Sequence, residues 1–180
     1  LFSSVSTNPL ANTFILYIFA IKIPTRNYYN IYLNLMNKVA LITGATSGIG
    51  KATALKAAEA GFNIIITGRR SDRLEQLARE IQEKGVEVLP LHFDIRQQTA
   101  VQQAIENLTG NWRNIAVLVN NAGLAVGVSP IQEGVLDDWE RMIDTNIKGL
   151  LYITRAVAPL MIANNAGHIV TLASIAGKEV

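Results

Sequence analysis

The sequence predicts an α/β protein with a doubly wound parallel sheet. Three observations carry this prediction: apolar runs of strand length alternate with helical patterns, a glycine-rich turn joins the first run to the first helix, and polar residues follow several runs. The chain has 180 residues, of which 49% are hydrophobic and 17% charged, so it can bury the core of one domain. No repeat or linker interrupts residues 36–180, and we interpret them as one domain.

Composition excludes several classes of function. The net charge is only +2 and no basic block occurs, so we expect no nucleic-acid partner. There are no cysteines, which rules out disulfides and thiolate metal sites and is compatible with a cytoplasmic location. His92 and His168 lie far apart without ligand spacing. We interpret both as structural and expect no metal site.

Residues 1–35 differ in composition from the rest of the chain. They are rich in Asn, Ile, Tyr, Phe and Leu, and Met36 directly precedes the first strand pattern. The apolar run from Phe14 to Ile21 is well short of the roughly 20 residues that a membrane-spanning helix needs, so we expect no membrane association. We interpret 1–35 as a non-native upstream extension, a hypothesis that N-terminal sequencing of the natural product tests. An anchor formed by residues 14–23 is the alternative.

The first strand and helix enclose the glycine-rich turn. Val39 to Thr43 reads as a buried strand, Lys51 to Ala60 reads as a helix, and Gly61 is a suitable residue to end that helix. A turn of this kind points backbone N–H groups and the positive end of a helix at an anion. The spacing matches neither a P-loop, because Ala52 replaces the Mg²⁺-binding hydroxyl, nor the G-x-G-x-x-G dinucleotide fingerprint.

Further elements follow in alternation. A helix capped by Ser71 or Asp72 carries apolar residues at i, i+3, i+4 and i+7 and ends at Gly85. A long helical region, Leu136 to Asn164, is expected to break near Gly149 and to bend at Pro159. The remaining predictions are strands at Asn63 to Thr67, Val86 to Phe93, Ile115 to Asn120 and His168 to Ser174, and a helix at Gln97 to Leu108.

The pattern T-G-x-x-x-G-x-G, Thr43 to Gly50, resembles the cofactor motif of the short-chain dehydrogenase/reductase family. An ordinary tight βα turn is the alternative for this stretch taken alone. The resemblance implies a Rossmann fold and a nicotinamide dinucleotide held by the turn. On this resemblance the cofactor-binding residues of the turn are Gly44, Thr46, Ser47, Gly48, Ile49 and Gly50.

The second strand ends in Gly68-Arg69-Arg70, where a dinucleotide fold commonly places an acid against the ribose 2′-OH. Guanidinium groups at this place would instead pair with a 2′-phosphate through charge-assisted hydrogen bonds. Arg69 and Arg70 therefore favour NADP over NAD as the cofactor. The alternative is that one or both arginines only form a solvated helix start.

Two further strand ends match the family. Asp94 and Ile95 close the third strand, and the resemblance places the Asp against the adenine amino group; a helix-capping Asp is the alternative. The fourth strand ends in the family's N-N-A-G motif, which the resemblance places beside the cofactor and which is otherwise a turn signal. The residues of that motif are Asn120, Asn121, Ala122 and Gly123.

The resemblance also assigns two catalytic residues. Asn146 matches the helical Asn that holds a water in a proton relay, and Ser174, at the end of the fifth strand, matches the Ser that hydrogen-bonds the substrate oxygen. The family's Tyr-x-x-x-Lys pair, its general acid/base, lies beyond that Ser, and the sequence stops at Val180. We therefore expect a fold that is incomplete at its C-terminal side, an exposed edge at the fifth strand, and negligible activity of this stretch alone.

Overall likeness is greatest to the NADP-dependent 3-hydroxy acid dehydrogenases. The resemblance thus implies hydride transfer between NADP and the secondary alcohol or carbonyl of a small 3-hydroxy acid, in a homo-oligomeric parent protein. Two alternatives remain open, namely a reductase of 3-oxoacyl thioesters on the same fold and a non-catalytic NADP-binding module.

Overall fold

The computed structural model describes residues 18–22, 38–127 and 129–174. Within these ranges the strands are β1 (Ile18–Lys22), β2 (Val39–Ile42), β3 (Asn63–Gly68), β4 (Val88–His92), β5 (Ile115–Asn120) and β6 (His168–Leu172). The α-helices are α1 (Gly48–Glu59), α2 (Ser71–Gln82), α3 (Gln98–Glu106), α4 (Leu136–Ile143) and α5 (Leu150–Ala163). A π-helix, Asp144–Gly149, joins α4 to α5, and short 3₁₀ turns occupy Gly110–Arg113 and Ile131–Glu133.

The strands form one sheet in the order β1-β6-β5-β2-β3-β4. Strands β2 to β6 are parallel to one another. The chain runs outward from β2 through β3 to β4, then returns to add β5 and β6 on the other side of β2. This reversal confirms the predicted doubly wound sheet and places the topological switch point between β2 and β5.

β6 is not a free edge of the sheet. β1 pairs with it antiparallel, from Ile18 opposite Leu172 to Lys22 opposite His168. The expectation of an exposed edge at this strand is therefore wrong, because β1 takes up its outer hydrogen-bonding groups. The other parts of the upstream segment, residues 1–17 and 23–35, lie outside the described residues, as does Met36.

Each face of the sheet is covered by its own hydrophobic core. Val39 and Leu41 of β2 pack into a core formed with α3 and α5, whereas Ala40 and Ile42 pack into one formed with α1 and α2. All four side chains are at most 2% exposed. A parallel strand buried on both faces reads as an unbroken apolar run, which explains why VALI shows no alternation.

The helix after the glycine turn begins earlier than predicted, at Gly48 rather than Lys51. Gly61 ends it as predicted, with φ +87°. The N–H of Gly61 donates to the carbonyl of Ala58 and that of Phe62 to the carbonyl of Ala57, which satisfies the last carbonyls of the helix. The first turn of α1 thus lies directly at the glycine turn.

Helix α2 has the predicted apolar face, but its predicted N-cap residue is wrong. Arg70 occupies the N-cap position, so Ser71 and Asp72 lie inside the first turn and cap nothing. Asp72 still stabilises the helix, because a carboxylate in the first turn complements the helix dipole. The buried residues of α2 are the predicted Leu74, Leu77, Ala78 and Ile81.

The long helical region is interrupted near Gly149, as predicted. The interruption is the π-helix Asp144–Gly149, which lies between α4 and α5. A Cβ on Gly149 would lie 2.9 Å from Cγ2 of Ile95, so only glycine lets this segment pack against the end of β4. Helix α5 then continues through Pro159 to Ala163. π-helical turns are rare in proteins overall, but those that occur are often found at functional sites.

Candidate functional site

A cavity of about 420 Å³ opens at the carboxyl ends of β2, β3, β4 and β5 and includes the switch point between β2 and β5. This is the edge at which open α/β sheets bind ligands. Its lining residues are Gly44, Thr46, Ser47, Ile49, Thr67, Gly68, Arg69, Arg70, Phe93, Asp94, Ile95, Asn121, Ala122, Gly123, Leu124 and Thr145. The predicted residues Gly48, Gly50 and Asn120 are not among them.

The glycine turn packs too closely for side chains at two of its positions. A Cβ on Gly44 would lie 2.8 Å from Cα of Ala122, and one on Gly50 would lie 2.6 Å from the carbonyl oxygen of Gly44. Gly48 differs, because a Cβ there would meet no atom within 4 Å and its φ is +55°. Gly44 and Gly50 therefore fix the packing of α1 on the turn, while Gly48 provides a left-handed bend beside open space.

Thr43 and Asn121 connect the glycine turn to the N-N-A-G turn. The Thr43 hydroxyl accepts hydrogen bonds from the backbone N–H groups of Asn121 and Ala122, both at 3.0 Å. The Asn121 side-chain amide donates to the carbonyls of Thr43 at 2.8 Å and Gly44 at 3.0 Å. Sequence reasoning used Thr43 only as the first letter of a motif, although its hydroxyl holds the two turns together.

Asn120 lies beneath the site. It is 5% exposed, and its amide nitrogen donates to the hydroxyl of Thr154 at 3.0 Å on α5. The sequence prediction grouped Asn120 with Asn121 because the two are adjacent. In a strand, however, neighbouring side chains point to opposite faces, so only one of them reaches the turn.

Both predicted arginines lie at the cavity, and both are exposed. The Arg70 guanidinium donates to the hydroxyl of Thr46 at 2.7 Å and of Ser47 at 3.4 Å. Although Arg70 starts α2, its guanidinium therefore lies over the glycine turn while it remains exposed. The Arg69 carbonyl is 2.9 Å from Nε2 of His92, which gives that histidine a structural contact.

Asp94 is held by Arg96, a residue that the sequence analysis did not single out. The Asp94 carboxylate accepts hydrogen bonds from the Arg96 guanidinium, the shortest at 2.7 Å, and from the Arg96 backbone N–H at 3.0 Å. These bonds to Arg96 lower the pKa of Asp94, against the opposing effect of its partial burial. Because Gln97 caps α3, the helix-capping alternative for Asp94 is wrong.

Asn146 lies in the π-helix and binds the loop after the N-N-A-G turn. Its Oδ1 accepts from the N–H of Leu124 at 2.9 Å, and its Nδ2 donates to the carbonyl of Leu124 at 2.8 Å. This two-point contact fixes the loop that forms one wall of the cavity. Ser174 follows β6 at the same edge of the sheet and is exposed. Neither residue lines the cavity itself.

Thr145, next to Asn146, does line the cavity and was also missed. It is 8% exposed, and its hydroxyl has no hydrogen-bond partner among the described residues. A single Thr inside a helical pattern carries no sequence signal for such a position.

Two absences hold for the described part of the chain. Across residues 18–22, 38–127 and 129–174, no three His, Cys, Asp or Glu residues cluster as metal ligands. In the same ranges no helix has both the length and the apolar character needed to cross a bilayer.

The fold and the site together define a doubly wound α/β protein whose ligand cavity is built around a glycine turn. Residues 38–180 match the family model of the short chain dehydrogenases, and the chain belongs to that family.

Individual relatives support this membership. The chain is 47% identical over 140 residues to the NADP-dependent 3-hydroxy acid dehydrogenase of Salmonella typhi, a match that covers 78% of this chain and 55% of that protein. It is 49% identical over 144 residues to sulfoacetaldehyde reductase 2 of Chromohalobacter salexigens, covering 79% and 57%. The crystal structure of serine dehydrogenase from Escherichia coli superimposes with a TM-score of 0.73 at 42% identity, covering 79% of this chain and 64% of that one. The chain thus spans about half the length of the curated relatives it matches.

Proposed function

We propose that the protein is an NADP(H)-dependent oxidoreductase that transfers hydride between nicotinamide and the secondary alcohol or carbonyl of a small 3-hydroxy acid. The observation that carries this proposal is the Arg70 guanidinium, which lies over the glycine turn where a dinucleotide fold commonly has a carboxylate. The name of the Salmonella relative, which states both NADP dependence and the substrate class, supports it.

The residues of the cavity fit NADP(H). The first turn of α1 presents backbone N–H groups and a positive dipole end, which suit a pyrophosphate. Open space at Gly48 leaves room for the phosphates to approach the backbone. Arg69 and Arg70 place two positive charges at the end of β3, which suit a 2′-phosphate and do not suit the neutral 2′-OH of NAD(H).

Asp94 contributes a fixed negative charge to the lining of the cavity. Because the Arg96 guanidinium keeps its pKa low, the carboxylate is ionised at neutral pH and can only accept hydrogen bonds. An exocyclic amino group such as that of adenine is a matching donor. This agrees with the role that the family resemblance gives to Asp94.

When bound, the nicotinamide supplies the hydride-transfer chemistry, and the protein supplies orientation and proton traffic. We assign Ser174 to hydrogen-bonding the substrate oxygen, supported by its place after β6 at the cavity edge of the sheet. We assign Asn146 to the proton relay, and its two hydrogen bonds to Leu124 also hold the cavity wall in place.

A small-molecule substrate and a homo-oligomeric state complete the proposal. Exposed apolar side chains recur every four residues along the long helical region, namely Ile143, Ile147 and Leu151, which are 42%, 55% and 57% exposed. Such a row of apolar residues supports contact with a second copy. Sedimentation velocity tests this, and a strictly monomeric natural product would contradict it.

Nucleotide binding is the primary test. Isothermal titration of the chain with NADP⁺ and NAD⁺ should show a preference for NADP⁺, and Arg70→Asp should weaken NADP⁺ binding by roughly 10-fold or more, because hydrogen bonds to charged groups contribute about 1.5–3 kcal/mol. Arg73→Asp is the matched control, since Arg73 is exposed on α2 and makes the same charge change outside the cavity lining.

Either of two results would contradict the cofactor assignment: tighter binding of NAD⁺ than NADP⁺ by the unmodified chain, or equal losses in the two variants. The substrate class is tested separately, by following NADPH consumption by the natural gene product with 3-oxo acids and with aldehydes. Preference for aldehydes would overturn the 3-hydroxy acid assignment while leaving the cofactor assignment intact.

A further inference from the structure

Asp94 is the only acid among the described residues that line the cavity. It follows β4 at the carboxyl edge of the sheet, and 22% of its side-chain surface is exposed. A ligand in the cavity therefore meets a single carboxylate, alongside the two arginines Arg69 and Arg70. What that carboxylate can bind depends on how many of its lone pairs the protein already uses.

Arg96 uses most of those lone pairs. Its Nη2 donates to Oδ2 of Asp94 at 2.7 Å, and its Nε donates to both carboxylate oxygens, at 3.0 and 3.1 Å. Its backbone N–H donates to Oδ1 at 3.0 Å. A carboxylate has about four acceptor positions, so these N–H groups leave roughly one of them free. Because the guanidinium is a planar fork, it also fixes the plane of the carboxylate.

Arg96 acts on Asp94 from outside the cavity, since it is not among the lining residues. The hydrogen bond and the charge of Asp94 raise the pKa of Arg96, and the charges of Asp144 and Asp137 raise it further. Asp137 belongs to α4 and Asp144 to the π-helix. Acidic residues of these two elements thus support the same guanidinium that holds Asp94.

The fork also determines which cation pairs with Asp94. The hydrogen bonds from Arg96 are the main cause that lowers the pKa of Asp94, and the charge of Arg69 lowers it further. Among the described residues, however, the Asp94 side chain hydrogen-bonds only to Arg96. Without Arg96, the carboxylate would be free to turn toward Arg69, a cation that lines the same cavity.

We propose that Arg96 is a positioning residue for the base of the bound dinucleotide, because its fork holds the Asp94 carboxylate with one acceptor position left for an exocyclic amino group. This inference rests on the proposed function, in which Asp94 accepts a hydrogen bond from adenine. A carboxylate that is fixed before the ligand arrives loses little conformational freedom on binding. It also disfavours a base that presents an acceptor at the same place, because two acceptors would then face each other.

The base preference is measured with NADP⁺ and its hypoxanthine analogue, in which an oxo group replaces the adenine amino group. Isothermal titration of the full 180-residue chain should show NADP⁺ binding roughly 10-fold tighter, as expected for a hydrogen bond to a charged group. In Arg96→Leu this ratio should fall to about threefold or less. Arg73→Leu is the matched control and should leave the ratio unchanged, because Arg73 is exposed on α2 outside the cavity lining.

Two further variants separate positioning from a general loss of stability. Arg96→Lys keeps the positive charge but not the planar fork, so it should lose most of the preference while it melts closer to the unmodified chain than Arg96→Leu does. It also carries the test if the Leu variant melts below the assay temperature. In an Asp94→Ala background, Arg96→Leu should not change the ratio further, because Arg96 acts through Asp94.

Three outcomes would overturn the inference while the proposed function stands. The first is an Arg96→Leu variant that keeps the full preference for NADP⁺ over the analogue. The second is an Arg96→Lys variant that keeps it, which would show that charge without the fork suffices. The third is a further loss from Arg96→Leu in the Asp94→Ala background. An unmodified chain that binds NADP⁺ and the analogue equally also refutes the inference, and one that binds neither refutes the proposed function with it.

Discussion

The hydroxyl of Thr43 joins the glycine turn to the N-N-A-G turn, and its removal tests whether that junction stabilises the fold. Thr43→Val keeps the shape of the side chain but removes the acceptor for the N–H groups of Asn121 and Ala122, both at 3.0 Å. The hydroxyl's own bond to the carbonyl of Val119, at 3.3 Å, is lost as well. That carbonyl keeps a second donor, the backbone N–H of Thr43 at 3.0 Å.

The expected cost comes mainly from the N–H of Ala122, because the N–H of Asn121 keeps a second acceptor, the carbonyl of Val119 at 3.1 Å. Thr43 is 1% exposed, so water reaches the site poorly, and each unpaired buried donor costs about 1–3 kcal/mol. The free energy of unfolding should therefore fall by about 1–3 kcal/mol, a sizeable part of the roughly 5–15 kcal/mol typical of a domain. In urea titrations followed by circular dichroism, the midpoint should fall by roughly 0.5–1.5 M with an unchanged slope.

Thr43→Ser is the matched control, because it keeps the hydroxyl and removes only a methyl group, at a cost of about 1 kcal/mol. A Val variant within about 0.5 kcal/mol of the unmodified chain would refute the reasoning. Equal losses in Val and Ser would refute it too, since the methyl group rather than the hydroxyl would then carry the effect.

Two further predictions address the turn and the acidic end of the cavity. Gly50→Ala should weaken NADP⁺ binding far more than Gly61→Ala, because the Gly50 Cβ would lie 2.6 Å from the Gly44 carbonyl. Gly61 lies at the other end of α1, where the added Cβ meets nothing within 4 Å and the cost is the backbone strain of a φ of +87°. Similar NADP⁺ affinities of the two variants would contradict this. Arg96→Leu should lower the free energy of unfolding at neutral pH, and the difference from the unmodified chain should disappear in acid. Arg96 depresses the folded-state pKa of Asp94. The stabilisation is therefore complete above the unfolded pKa of 3.8 and is lost as the pH falls through the lower folded-state pKa. A gap in unfolding free energy that persists at about pH 2 would show that the ion pair is not its source.

Hydrophobic periodicity was enough to predict the parallel sheet, because each strand and helix buries its own apolar residues in one of two cores. The unbroken run in β2 and the i, i+3, i+4, i+7 pattern of α2 are local consequences of burial. The residues at which the helices begin were harder to predict. Arg70 occupies the N-cap position of α2 in place of Ser71, and its side chain donates to Thr46 instead of capping the helix.

The sequence by itself determined the parallel strands β2 to β6, the glycine turn and most of the residues that line the cavity, since these depend on spacing along one chain. The antiparallel pairing of β1 with β6 did not follow from it. Only the tertiary structure decided which neighbour of a pair faces the cavity, as with Asn121 and Asn120, and which distant groups complete the site. Thr43 acquires its role from contacts with Asn121 and Ala122 that form only when β2 and β5 are packed together, and no pattern of residue types along the chain encodes such contacts.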